Sequence, residues 1–158
     1  MYYQGFIPSN NTPMIYFVSV VLKDIFTLGK DYPWERPAQC PRCGHYRLWG
    51  HGFVFRFFRG FSTSLFLKCY RCPSCCCVLT LRPDSHFPRI RTSKALIRDH
   101  LSHREEYCHW PRSDLLRSNL RYWWNNLLRR TAAFLDNRFC ESFMTAFDQL
   151  PAPVSRLK

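Results

Sequence analysis

Two short segments decide how this chain is read: Cys40-Pro41-Arg42-Cys43-Gly44 and Cys72-Pro73-Ser74-Cys75, with 28 residues between Cys43 and Cys72. A tight turn with the spacing C-x-x-C aims two sulfurs at one point, and two such turns supply the four soft ligands of a tetrahedral structural zinc site. One C-x-x-C is a weak signal, because redox motifs share it. Two in one short basic stretch are a strong one. The expected ligands of Zn2+ are therefore Cys40, Cys43, Cys72 and Cys75. The second pair has a competing register, since Cys69-x-x-Cys72 is an equally legal spacing and Cys76 and Cys77 are also at hand. Cys72 and Cys75 are preferred because Cys72-Pro73-x-Cys75 repeats Cys40-Pro41-x-Cys43, although Cys76 stands where the first turn has Gly44. A closed four-thiolate site has no open position and is expected to do no chemistry. Its binding free energy, roughly 10–16 kcal/mol, implies that the ribbon unfolds without its metal.

The segment between the pairs reads as two strands, Phe53 to Arg59 and Ser64 to Arg71, joined by Gly60-Phe61-Ser62-Thr63. By the period of two, Phe53, Phe55 and Phe57 share one face and Arg56 the other. The expectation is an aromatic side that is buried and a basic side that is presented. His45 and His51 lie outside the paired spacing and are not taken as ligands.

The 158 residues carry 23 Lys and Arg against 11 acids, a net charge of +12, and the excess is concentrated around the cysteines. No acid occurs between Glu35 and Asp84, where Arg36, Arg42, Arg47, Arg56, Arg59, Lys68, Arg71 and Arg82 are basic. Such a single-sign stretch points to a polyanionic partner, nucleic acid before a membrane surface. An apolar fraction of 46% argues for a folded chain. The nine cysteines are odd in number, the start Met1-Tyr2-Tyr3-Gln4-Gly5 lacks a basic n-region, and the apolar run from Met14 stops at Lys23-Asp24. These features favour reduced, metal-bound thiolates in the cytoplasm.

Outside the ribbon, residues 1–35 read as a segment with a strand from Met14 to about Leu22, residues 36–83 as the ribbon, 84–92 as a Pro- and Arg-containing connector, 93–150 as a helical region and 151–158 as a tail. A first helix is expected from Thr92 or Ser93 as cap to about Cys108. A second begins near Ser113-Asp114, with a stripe of Leu116, Leu120, Trp123, Leu127 and Phe134, as one helix or as two broken near Ser118-Asn119. A last piece covers about 138–150. Cys108 and Cys140 read as small core residues, and His100 and His103 as surface residues. The fold class is α+β, a zinc ribbon built on a β-hairpin with two Cys knuckles, followed by helices.

With these residues in place, Cys40 to Pro83 resembles the zinc-ribbon segment of transposon-associated proteins, among them stand-alone bacterial proteins and the N-termini of some transposases. The resemblance rests on CPRCG, Leu48-Trp49-x-His51-Gly52, Lys68-x-x-Arg71-Cys72-Pro73-x-Cys75 and Leu79-Thr80-Leu81-x-Pro83. Cys69 and the Cys76-Cys77 pair depart from it. It implies a helix-turn-helix region after the ribbon, matched more weakly by Ser93 to Arg130, and it implies binding of DNA at mobile-element ends without catalysis.

Two functions follow as expectations. The first is a non-enzymatic module for DNA, or for RNA, with Arg56, Arg59, Lys68, Arg71, Arg89 and Arg91 on the backbone and Arg117 and Arg121 on a helix directed to the major groove. The second is an assembly factor that docks a protein partner through Trp110, Trp123, Trp124 and Phe134. A metal-dependent nuclease built on His100 and His103 ranks below both.

Overall fold

The structure is a computed structural model and describes residues 13–135, Met144, Phe147 and Asp148. The elements in chain order are β1 (Met14–Val18), α1 (Leu22–Leu28), a 3-10 turn (Gly29–Asp31), β2 (Trp49–Arg56), β3 (Leu65–Arg71), β4 (Val78–Pro83), α2 (Lys94–Tyr107) and α3 (Arg117–Leu135). The described part divides after Asp84 into two units. The class is α+β.

The first unit is one four-stranded sheet in the order β1-β4-β3-β2. β2 and β3 are antiparallel, as are β3 and β4, while β1 lies parallel to β4. Two of the strands depart from the sequence expectation. The run from Met14 ends as a strand at Val18 and becomes α1, which starts without a side-chain cap and stops at Gly29 in the left-handed region (φ 58°). Val78–Pro83, the end of the expected ribbon and not expected as a strand, is the central partner that joins β1 to the hairpin. The N-terminal segment and the ribbon therefore share one sheet.

Alternation along the strands sends side chains to two cores. Leu79 and Leu81 of β4, Tyr70 of β3, Leu48 and the half-buried Met14, Tyr16 and Val18 of β1 pack with Cys40, Cys72 and Cys77. Leu65 and Leu67 of β3 pack with Ile25 of α1 and Phe58. Val54 sits beside the second of these cores, and its neighbours Phe53 and Phe55 point the other way. The expected aromatic side is thus not buried: Phe55 is 63% and Phe57 54% exposed. Arg56 pairs across the strands with buried Leu65. The physical reason is that α1 covers the Val54, Leu65 and Leu67 side, a partner that the hairpin sequence alone does not reveal.

In the second unit α2 begins as expected: the Ser93 side chain accepts from the Leu96 N–H at 3.3 Å. It ends at Cys108 in the left-handed region. Cys108 is exposed, so its assignment to the core is corrected. His100 is also corrected, being buried with Nδ1 on the Leu96 carbonyl at 2.8 Å. It points inward because it lies one turn after Ile97 and next to Leu101, the other buried residues of the helix. α3 is one continuous helix that starts at Arg117, so there is no break at Ser118-Asn119. Leu115, Leu120 and Trp123 enter the core with Ile97, Leu101, Phe87, Met144 and Phe147, while Leu116, just before the helix, is exposed. The rest of the expected 138–150 helix, Cys140, the side chains of Leu127 and Phe134 and the 151–158 tail lie outside the described residues. Among the described residues no helix is long and apolar enough to cross a membrane.

Arg98 of α2 holds Asp148 in a two-pronged ion pair, Nε to Oδ1 and Nη2 to Oδ2, both at 2.7 Å. The Arg98 guanidinium keeps the Asp148 carboxyl below its ordinary 3.8. A carboxyl lowered on folding adds stability that is complete above its ordinary value and is lost as pH falls through the lowered one. Both side chains are 45% exposed, so solvent limits the gain. Asp148→Asn is expected to weaken the helical unit slightly at pH 7 and to flatten its loss of stability below pH 4, measured by urea denaturation across pH.

Candidate metal centre

The two C-x-x-C turns share a backbone hydrogen bond and a left-handed residue. In the first, the Cys40 N–H donates to the His45 carbonyl at 2.8 Å, and Gly44 sits in the left-handed region (φ 74°). In the second, the Cys72 N–H donates to the Cys77 carbonyl at 2.9 Å, and Cys76 takes the left-handed position (φ 57°). Cys76 thus stands where Gly44 does in conformation as well as in sequence. The second turn is also the β3–β4 hairpin connection, continuing the ladder past the Arg71–Val78 pair. The first leads through Leu48 into β2, whose Trp49 faces Arg71 at the end of β3. Both knuckles therefore arrive at one end of the sheet, and the hairpin β2–β3 occupies most of the sequence between them.

The result is a group of four sulfurs, those of Cys40, Cys43, Cys72 and Cys75, all within 4.8 Å of one another. Cys40 and Cys75 are 3.7 Å apart, Cys43 and Cys72 3.5 Å. Metal–thiolate bonds of about 2.3 Å in a tetrahedron set the sulfurs about 3.8 Å apart, so the spacing fits one ion. Cys40 and Cys72 are buried, Cys75 half-buried and Cys43 exposed. The group is the one that sequence spacing selects, and the competing register places its thiol elsewhere. Cys69 lies in mid-β3 with Sγ 3.5 Å from Thr80 Oγ1. Cys77 is a buried thiol on the Val78 carbonyl, pushed up by burial, and Cys76 is exposed. His45 enters the site through its backbone alone, its imidazole being no member of the group.

Without a metal these thiols differ sharply in acidity. The backbone N–H of His45 pulls Cys43 down to about 7, while burial pushes Cys75 up to about 12 and raises Cys40. Four thiolates in so small a volume repel one another, and a bound cation removes that penalty and deprotonates them. The described cysteines are all free thiols.

Within the first unit the basic residues named from sequence lie on both sides of the hairpin. Lys68 and Arg71 lie on opposite sides of β3 by alternation, and Arg56 shares the Leu65 side. Arg56, Arg59 and Arg71 are exposed and Lys68 half-buried. Arg89, Arg91, Arg117 and Arg121 are exposed in the second unit, the last two on α3. Of the aromatics suggested as a docking surface, Trp123 is core, and Trp110 and Trp124 pack edge to face beside it with centroids 6.1 Å apart. Sequence reasoning missed Lys30 and Arg36, whose cations lie over Phe66 at 5.1 Å and Tyr70 at 5.8 Å. Comparison of the chain with protein-family models, with curated proteins and with solved structures yields no match.

Titration with Co2+ is expected to give one sulfur-rich tetrahedral site per chain. Cys75→Ser should abolish its spectrum, and Cys69→Ser should leave it unchanged. The left-handed region costs a residue with a Cβ about 1–2 kcal/mol, and an added Cβ at Gly44 would meet no atom within 4 Å. Gly44→Ala should thus destabilise the loaded protein by about 1 kcal/mol and Cys76→Gly stabilise it by a similar amount, compared by chemical denaturation.

Proposed function

We propose that the chain is a zinc-binding, non-catalytic nucleic-acid-binding protein of the transposon-associated zinc-ribbon type, with DNA as its partner. The observation that carries this reading is the placement of the four thiols at one end of a sheet whose sequence, from Arg36 to Pro83, contains eight basic residues and no acid. Zinc suits a site of four soft ligands, since it binds thiolates tetrahedrally and has no redox chemistry to control. All four positions are then taken by protein, which leaves none for a substrate. The metal is a scaffold, and the surface it holds in shape does the binding.

Cations in such a stretch bind the phosphate backbone and release its counterions, a term independent of base sequence. Arg56, Arg59 and Arg71 on the ribbon and Arg89, Arg91, Arg117 and Arg121 in the helical unit are exposed, which supports this role for them. The helix-turn-helix part of the reading has less support. Residues 108–116 separate α2 from α3, nine in all, where the motif uses a turn of three or four. The assembly-factor reading loses ground for a related reason, because Trp123 is core and Trp110 and Trp124 pack against it.

Affinity of the zinc-loaded chain for DNA should fall with salt, by roughly a hundredfold between 50 and 200 mM for four phosphate contacts. Replacing Arg56 and Arg71 together by Gln should reduce the salt slope by about two. Binding that hardly responds to salt would contradict the reading.

A further inference from the structure

One face of the β2–β3 hairpin leaves its rings outside the core. By register it carries Phe53 and Phe55 from β2 and Phe66, Lys68 and Tyr70 from β3. Phe55 is 63% exposed, Phe53 and Phe66 are half-buried, and only Tyr70 is buried. Phe53 and Phe66 meet edge to face with centroids 6.4 Å apart. Three cations lie among these rings. The Lys68 ammonium is 4.3 Å from the centre of Phe53 and 6.0 Å from that of Tyr70, the Lys30 ammonium is 5.1 Å from that of Phe66, and the Arg36 guanidinium is 5.8 Å from that of Tyr70. At Gly50 of β2 no side chain covers the Lys68 ammonium, since a Cβ there would lie 3.9 Å from it.

We propose, resting on the nucleic-acid reading above, that this face binds single-stranded DNA, with bases stacked on Phe55 and its neighbours and phosphates held by Lys68, Lys30 and Arg36. The chemistry argues for one strand and against a duplex. A duplex hides the flat faces of its bases, so exposed Phe rings would gain nothing from it and would meet only charged backbone. A single strand offers both groups that this face complements, a π-face for each ring and an anion for each nearby cation. The charge argues against a protein partner, because apolar protein surfaces do not compensate three interleaved cations. DNA is favoured over RNA because, apart from the buried Tyr70, the face consists of Phe rings and cations and offers no side-chain acceptor to a 2′-OH. Arg56 and Arg71, which project from the other side of the hairpin, are not part of this surface.

The test compares the affinities of the full, zinc-loaded chain for oligo(dT), oligo(U) and a duplex of equal length, by fluorescence anisotropy at fixed salt. Oligo(dT) is expected to bind at least tenfold more tightly than the duplex. Phe55→Ala should weaken oligo(dT) on the order of tenfold and leave the duplex unchanged. Phe55 is exposed, so this substitution spares the core, and Lys68→Gln should act in the same direction. Preference for the duplex, or indifference of oligo(dT) binding to Phe55→Ala, would overturn this inference and leave the DNA-binding reading standing. Equal or tighter binding of oligo(U) would overturn the choice of DNA. Binding of none of the three would overturn both this inference and the proposed function.

Discussion

Four sulfurs have to converge to within 4.8 Å, from two turns separated by 28 residues, and the arrangement of the first unit answers that demand. An antiparallel hairpin is the economical solution. It starts β2 and ends β3 at the same end of the sheet, so a turn that precedes β2 and a turn that follows β3 arrive side by side. The second turn then doubles as the reversal into β4. Beneath the sulfurs, Leu48, Tyr70, Leu79 and Leu81 fill the space between sheet and knuckles. Cys40, Cys72 and Cys75 pack directly on this core, so the four-sulfur group and the core are built together.

That construction decides which surfaces remain. The knuckles and residues 34–48 cover the β4 and β1 side of one sheet face, and α1 covers the β2 and β3 side of the other. What is left over is the outer part of the hairpin on the knuckle face, where Phe53, Phe55 and Phe66 sit among Lys68, Lys30 and Arg36. A basic and aromatic surface therefore follows from where the cores lie. Arg36 and Lys68 of that surface come from the acid-free stretch between Glu35 and Asp84, and Lys30 from just before it.

Much of this was legible in the sequence, and the parts that were not have physical reasons. The ligand set could be chosen because Cys-Pro-x-Cys occurs twice, and the two turns share the hydrogen bond from the first Cys N–H to the carbonyl five residues on. The Ser93 cap and the helical period of α2 are local signals, and they were read correctly. β4 was harder, since its identity as a central strand depends on β1, a partner distant in sequence. The hairpin strands were located, and Arg56 is exposed as expected, but the Phe53, Phe55 and Phe57 side was assigned to the inside, where Phe55 and Phe57 are not. Alternation separates Phe53 and Phe55 from Val54 and Arg56 without telling which set meets a helix. His100 was read as surface for a similar reason, because the stripe it joins is set by packing in three dimensions.

The central claim is that a metal ion on four thiolates holds residues 36–83 in their fold. It is tested most directly by following the backbone amide spectrum of the full chain during removal of metal by a chelator and readdition of zinc. The account predicts that the dispersed signals of residues 36–83 collapse when the metal is removed and return in full with one equivalent of zinc per chain. Retention of those signals by the metal-free, reduced protein would contradict it.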